Sequence, residues 1–250
     1  YDVEEQNLIK IDLLCNRGLS QLWEINDTPL HRYPTEDKLT SELLSKGDVI
    51  GLTQAESRTM RKTLIALQPQ SMYDVALALA LIRPAAADGG RKASYLHHWR
   101  KGDNQKQIIY DEDGIQYISK LLNCNHSTAD QYRRAFANQR EGLMNEFISK
   151  IKHLDDKDKI IDNLNQLNKY SFCKGHALAY GQMVWALAYN KARDRKTFWE
   201  STLKHCNSSY RKWVHMREAV MSGIDMYNHQ DGTPIQKLNL SGWWNESQFL

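Results

Sequence analysis

The chain has 250 residues, 41% of them apolar and 25% charged, enough to bury one large core or two small ones. Its 33 basic and 30 acidic side chains leave a formal charge of +3, too small to argue for nucleic-acid binding from net charge alone. No apolar run approaches the roughly 20 residues of a spanning helix, and Tyr1-Asp-Val-Glu-Glu5 carries no signal pattern, so no membrane association and a cytoplasmic compartment are the expectations.

In chain order, residues 8–14 alternate apolar and polar and are rich in β-branched side chains, which predicts a short strand carrying Lys10 and Asp12. A loop with Pro29 and Pro34 follows, then a helix with Thr35 near its start, running through Leu44. Residues 47–53 read as a turn and a short extended piece. Met60, Leu64 and Leu67 then recur at helical spacing, with Arg58, Arg61 and Lys62 on the other face, until Pro69 stops the helix. Residues 74–82 predict a buried helix ended by Arg83-Pro84, and residues 85–106 an irregular surface loop. Helical periodicity returns over residues 114–122, 127–136, 142–151, 157–167, 176–191, 198–203 and 210–221. The fold class is therefore mainly α with one short β-strand at the N-terminus; residues after Gly223 give no secure pattern.

The chemistry-bearing residues are cationic and aromatic. Lys174 and His176 stand before an apolar helix, where unpaired backbone N–H groups and the positive end of the macrodipole suit a phosphate. The same pattern also fits a solvated cap and a core imidazole. Arg133 and Arg134 diverge by roughly 100° on one helix, so one can reach a cleft while its neighbour braces a loop, but taken alone the pair is better read as a solvated basic face. Basic edges recur at Ser57-Arg58, Arg61-Lys62 and around Lys204, His205, Arg211 and Lys212. Among them lie Tyr95, Trp99, Tyr110, Tyr117, Tyr132, Phe136, Tyr170 and Tyr180. Such a mixture suits a nucleotide or single-strand site, although the same aromatics also suit a core. Cys15, Cys124, Cys173 and Cys206 lack CxxC spacing, which argues against a disulfide framework and a zinc knuckle.

Order and spacing of the motifs add more than any one of them. Leu8-Ile-Lys10-Ile-Asp12, Gln54-Ala-Glu56-Ser57-Arg-Thr-Met60, Arg83-Pro84, Tyr110-Asp-Glu112-Asp, Tyr132-Arg133-Arg134 and Phe172-Cys-Lys174-Gly-His176 occur in this sequence in that order. Together they resemble the bacterial DNA polymerase III alpha subunit family, the C-family replicative polymerases, over residues 8 to about 224, although members are several times longer. The resemblance implies the end of the palm at 1–25, the fingers at 26–215 and the start of a tail at 216–250. It also implies template-directed addition of deoxynucleotides to a primer 3′ end by two-metal phosphoryl transfer.

By that resemblance Asp12 matches one of three palm aspartates that bind two Mg2+ ions. Lys10, Arg133, Arg134, Lys174 and His176 match nucleotide contacts, and Gln54, Glu56, Ser57 and Arg83 match positions behind them. The implied partners are primer-template DNA and deoxynucleoside triphosphates, with a sliding clamp and other replisome subunits engaged through regions outside this chain. One carboxylate cannot assemble a two-metal site, so the chain by itself is expected to be inactive. Three departures weaken attraction for anions: Ala85-Ala86 in place of Gly-Pro, Tyr110-Asp-Glu-Asp113 in place of Tyr-Gln-Glu-Gln, and Ala137-Asn-Gln-Arg140 in place of a glycine and lysine run. They keep open a second reading, a catalytically inactive helical nucleic-acid-binding or scaffold module derived from the fingers.

Overall fold

The computed structural model describes residues 15–82, 96, 109–165, 172–206 and 212–227. The expected strand at 8–14 with Lys10 and Asp12, Arg83, and the loop at 85–106 apart from Leu96 lie outside the described residues. Within them the chain is mainly helical: α1 (Arg17–Ile25), α2 (Lys38–Ser45), α3 (Arg58–Leu67), α4 (Met72–Leu81), α5 (Asp111–Leu122), α6 (His126–Ala137), α7 (Glu141–Ile151), α8 (Lys157–Asn165), α9 (Lys174–Arg193), α10 (Arg195–Lys204) and α11 (Lys212–Met221). Backbone pairing between segments includes two isolated bridges, Glu36 with Ser71 and Tyr110 with Phe172.

Local chemistry sets the helix starts. Asp37, not Thr35, caps α2, its Oδ2 accepting the Thr40 N–H at 2.9 Å. Ser71 and Asp74 form a reciprocal capping box, which starts α4 at Met72. Helix α3 ends where Gln68 takes φ 51° ahead of Pro69. Residues 47–53 turn tightly instead of extending, with φ 72° at Gly47 and 88° at Gly51. A Cβ on Gly51 would also lie 2.9 Å from the Phe198 ring.

Two apolar clusters result. Helices α1 to α4 and α9 to α11 surround Leu44, Leu52, Met60, Leu64, Val184, Trp185 and Trp199, all essentially buried. Helices α5 to α8 enclose a smaller one built on Ile118, Tyr132, Phe136, Phe147 and Leu164. Tyr132 and Phe136 therefore belong to a core, with Phe147 edge-on to both rings. Helix α9 crosses α4 at Gly181, where an added Cβ would meet the Ala76 backbone at 2.9 Å. Buried Lys191 near its end donates to Asp48 Oδ1 at 2.6 Å and to the Asp48 and Ile50 carbonyls, locking the turn at 48–50 against α9. Burial pushes the Lys191 ammonium below its ordinary value, opposed by the Asp48 charge. Residue 25 is the last of α1, which packs on α9 and α10, and residue 215 falls within α11, which packs on α10.

Candidate functional site

Helix α9 starts at Lys174, two residues before the periodicity predicts, so Lys174, Gly175 and His176 form its first turn. Cys173 at the cap position gives no side-chain bond. A carboxylate from another helix takes that place: Glu112 Oε2 accepts the Lys174 backbone N–H at 2.9 Å, and Oε1 lies 3.6 Å from Cys173 Sγ. An anion thus sits on the positive end of a helix of 20 residues, at the place where phosphates favour binding.

The N-termini of α5 and α9 meet through backbone. Tyr110 bridges Phe172 in parallel, and the Asp111 N–H donates to the Phe172 carbonyl at 3.2 Å. The exposed His176 ring stands edge-on to Phe172 and Tyr180, with centroids 5.3 and 4.4 Å away. Lys174 Nζ lies 5.7 Å from the Tyr110 ring centroid.

Helix α6 brings the arginines alongside. Arg133 Nη1 lies 2.7 Å from Asp111 Oδ1, and its Nε donates to Asp130 Oδ1 at 2.8 Å. Asp130 Oδ2 takes the Arg134 Nε at 2.7 Å, so one carboxylate splits the pair. The Arg133 side chain is 13% exposed and that of Arg134 64%, so the first is largely enclosed and the second reaches into solvent. Burial acts to raise the Asp130 carboxyl, but the Arg133 and Arg134 charges outweigh it and hold it below the usual carboxylate range. Arg133, Lys174 and His176 are thus gathered around the junction of Tyr110 and Phe172, with Arg134 on the outer side. Arg140 stands apart, at the cap position of α7.

The residues placed behind the nucleotide occupy a second location. Glu56 is buried: Oε1 accepts the Gly51 N–H at 2.8 Å and faces His215 Nε2 at 2.6 Å, while Oε2 takes Arg17 Nη2 at 3.2 Å. His215 Nδ1 lies 3.5 Å from Cys206 Sγ. This network ties α1, the turn at 51–56 and α11 together. Ser57 caps α3 by accepting the Met60 N–H at 3.1 Å, and exposed Gln54 holds φ 73°. Asp130 was not singled out by sequence, and Asp111, Glu112 and Phe172 stand there only within quoted motifs, with no role assigned. Asp130 had a signal, since it lies three and four residues before the two arginines.

No three His, Cys, Asp or Glu side chains among the described residues are grouped to hold a metal ion. The carboxylates beside Arg133 and Lys174 are committed to guanidinium or N–H donors, so they do not form a Mg2+ ligand set. No helix among the described residues is long and apolar enough to cross a membrane.

The described residues thus form a mainly helical fold with cations and aromatics gathered at the N-terminus of α9. Residues 16–157 match the family model described as the bacterial DNA polymerase III alpha subunit finger domain, and the chain belongs to that family. The DNA polymerase III subunit alpha of Thermotoga maritima is 28% identical over 214 residues, covering 80% of this chain and 25% of that protein. Its counterpart from Staphylococcus aureus strain Mu50 is 27% identical over 254 residues, covering 89% of this chain and 24% of the relative. The chain thus spans about a quarter of the length of these curated relatives.

Proposed function

We propose that this chain forms the nucleotide-binding face of a cytoplasmic DNA-directed DNA polymerase, which adds deoxynucleotides to a primer 3′ end paired with a template. The supporting observation is the gathering of Arg133, Lys174 and His176 at the N-terminus of α9, with Arg134 alongside. In this reading Arg134 and Lys174 take triphosphate oxygens. Arg133, anchored by Asp130, exchanges the Asp111 oxygen for a further triphosphate oxygen. His176, standing edge-on to Phe172 and Tyr180, donates a hydrogen bond beside them. Lys10 approaches the same triphosphate, and Asp12 supplies one carboxylate to a Mg2+ centre completed by carboxylates elsewhere in the polymerase. Mg2+ would supply charge neutralisation and an activated 3′-hydroxyl. Gln54 and Arg83 are assigned to the template side, with Glu56 and Ser57 supporting them through the fold.

Titration of the chain with a deoxynucleoside triphosphate at several salt concentrations tests this. Wild type is expected to bind more tightly than Arg134→Ala and His176→Ala, with the difference shrinking as salt rises. Equal affinity in all three removes the assignment. One observation favours the second reading, an inactive nucleic-acid-binding or scaffold module: Arg133 and the Lys174 N–H already hold Asp111 and Glu112.

A further inference from the structure

Cys206, His215 and Glu56 stand in series, away from the N-terminus of α9. His215 is wholly enclosed, with Cys206 Sγ 3.5 Å from its Nδ1 and Glu56 Oε1 2.6 Å from its Nε2. The two flanking groups face different nitrogens of the ring, so the three do not converge on one metal ion. Glu56 accepts on both oxygens: Oε1 also takes the Gly51 N–H and Oε2 the Arg17 guanidinium. Arg17 in turn donates to Thr53 Oγ1 at 3.0 Å, which fixes the group that holds the carboxylate. The imidazole therefore carries its proton on Nε2 and turns the Nδ1 lone pair to the thiol. Nucleophile, base and orienting carboxylate follow in the order that activates a cysteine. Cys206 itself, just past the end of α10, is half-buried rather than enclosed.

We propose that Cys206 is a thiol-modification site that takes low-molecular-weight disulfides, with His215 as its base. The Cys206 proton passes to His215 Nδ1, and the Glu56 carboxylate against Nε2 stabilises the positive ring so formed. The thiolate attacks one sulfur of the disulfide. A new S–S bond joins that sulfur to Cys206, the original S–S bond breaks, and the departing thiolate recovers the proton from Nδ1. One thiol and one disulfide are consumed and one of each is formed, with no other oxidant. Exposure alone ranks the cysteines differently, since Cys15 and Cys173 are exposed and Cys206 is not. Cys173 faces a carboxylate directly, Glu112 Oε1 at 3.6 Å, which opposes a thiolate there. Nothing in this step depends on a nucleotide pocket.

Timed reaction of the full chain with oxidised glutathione at neutral pH, with the adduct on each cysteine quantified by peptide mass spectrometry, tests the proposal. An ordinary thiol is only a few per cent ionised under these conditions. Proton transfer to His215 raises the reactive form about tenfold or more, and the weaker nucleophilicity of a stabilised thiolate cancels part of that gain. Cys206 is therefore expected to react about 3- to 10-fold faster than Cys15, against the order of exposure. His215→Gln, shown to be folded by circular dichroism, is expected to slow Cys206 by a similar factor and to leave Cys15, Cys124 and Cys173 unchanged. Wild-type Cys206 reacting no faster than Cys15 overturns the proposal, whether or not the variant folds. An unchanged Cys206 rate in folded His215→Gln overturns it as well.

Discussion

Removing the carboxylate of Asp111 should strengthen triphosphate binding while weakening the fold. Arg133 Nη1 is held by Asp111 Oδ1 at 2.7 Å, and a phosphate must compete with that oxygen. Their side chains are 13% and 26% exposed, between the exposed pairs worth up to about 1 kcal/mol and buried charge-assisted bonds worth about 1.5–3 kcal/mol. A net value of about 1–2 kcal/mol follows once solvent screening is allowed for. Asp111→Asn keeps the side-chain volume and leaves Arg133 anchored by Asp130. At about 1.4 kcal/mol per tenfold, triphosphate affinity should rise about 5- to 30-fold. Stability should fall by a similar free energy, plus a few tenths of a kcal/mol for the acid lost from the first turn of α5. Calorimetric titration and urea denaturation on the same preparations measure both. Unchanged or weaker binding, with the expected loss of stability, would refute the competition and with it the role of Arg133 beside the phosphates.

Three further outcomes concern the scaffold. Lys191→Met removes the buried ammonium from Asp48 and two carbonyls; because Asp48 keeps Arg195 and is 31% exposed, the loss should be about 2–3 kcal/mol in urea denaturation. Gly181→Ala drives a methyl into the Ala76 backbone and should lower stability by about 1–3 kcal/mol, which a shifted unfolding midpoint at unchanged slope would report. Burial raises Asp48 and Asp130, but Lys191 and Arg195 on the first and Arg133 and Arg134 on the second hold both below their ordinary value. Their stabilisation is therefore complete above the unfolded carboxylate value of about 3.9 and is lost as pH falls through the folded values. Acid titration of stability should show that loss reduced in Asp130→Asn, with no difference in slope near neutral pH.

Much of the helical array is legible because its apolar residues keep one period. Met60, Leu64 and Leu67 mark the buried side of α3, and Ser57 before them is an ordinary cap. The start of α9 is not legible: Cys173 is no cap, and the group that takes its place, Glu112, lies 62 residues away. Glu56 reads as a motif residue in sequence, yet its His215 partner is 159 residues distant, so its buried network emerges only from the fold. The arginine pair is legible as a pair, and Asp130 by its helical spacing. Nothing local shows that Asp111 closes on Arg133 across 22 residues. The acidic turn at 111–113 is visible as a departure in charge, and the structure shows where two of those charges go: Asp111 onto Arg133 and Glu112 onto the α9 N-terminus.

Photocrosslinking with an azido-deoxynucleoside triphosphate, followed by peptide mapping, tests the central claim most directly. The label is predicted on peptides containing Tyr110 or the segment from Phe172 to Tyr180, and unlabelled triphosphate should prevent it. Competable label confined to other peptides would contradict a nucleotide pocket at the N-terminus of α9.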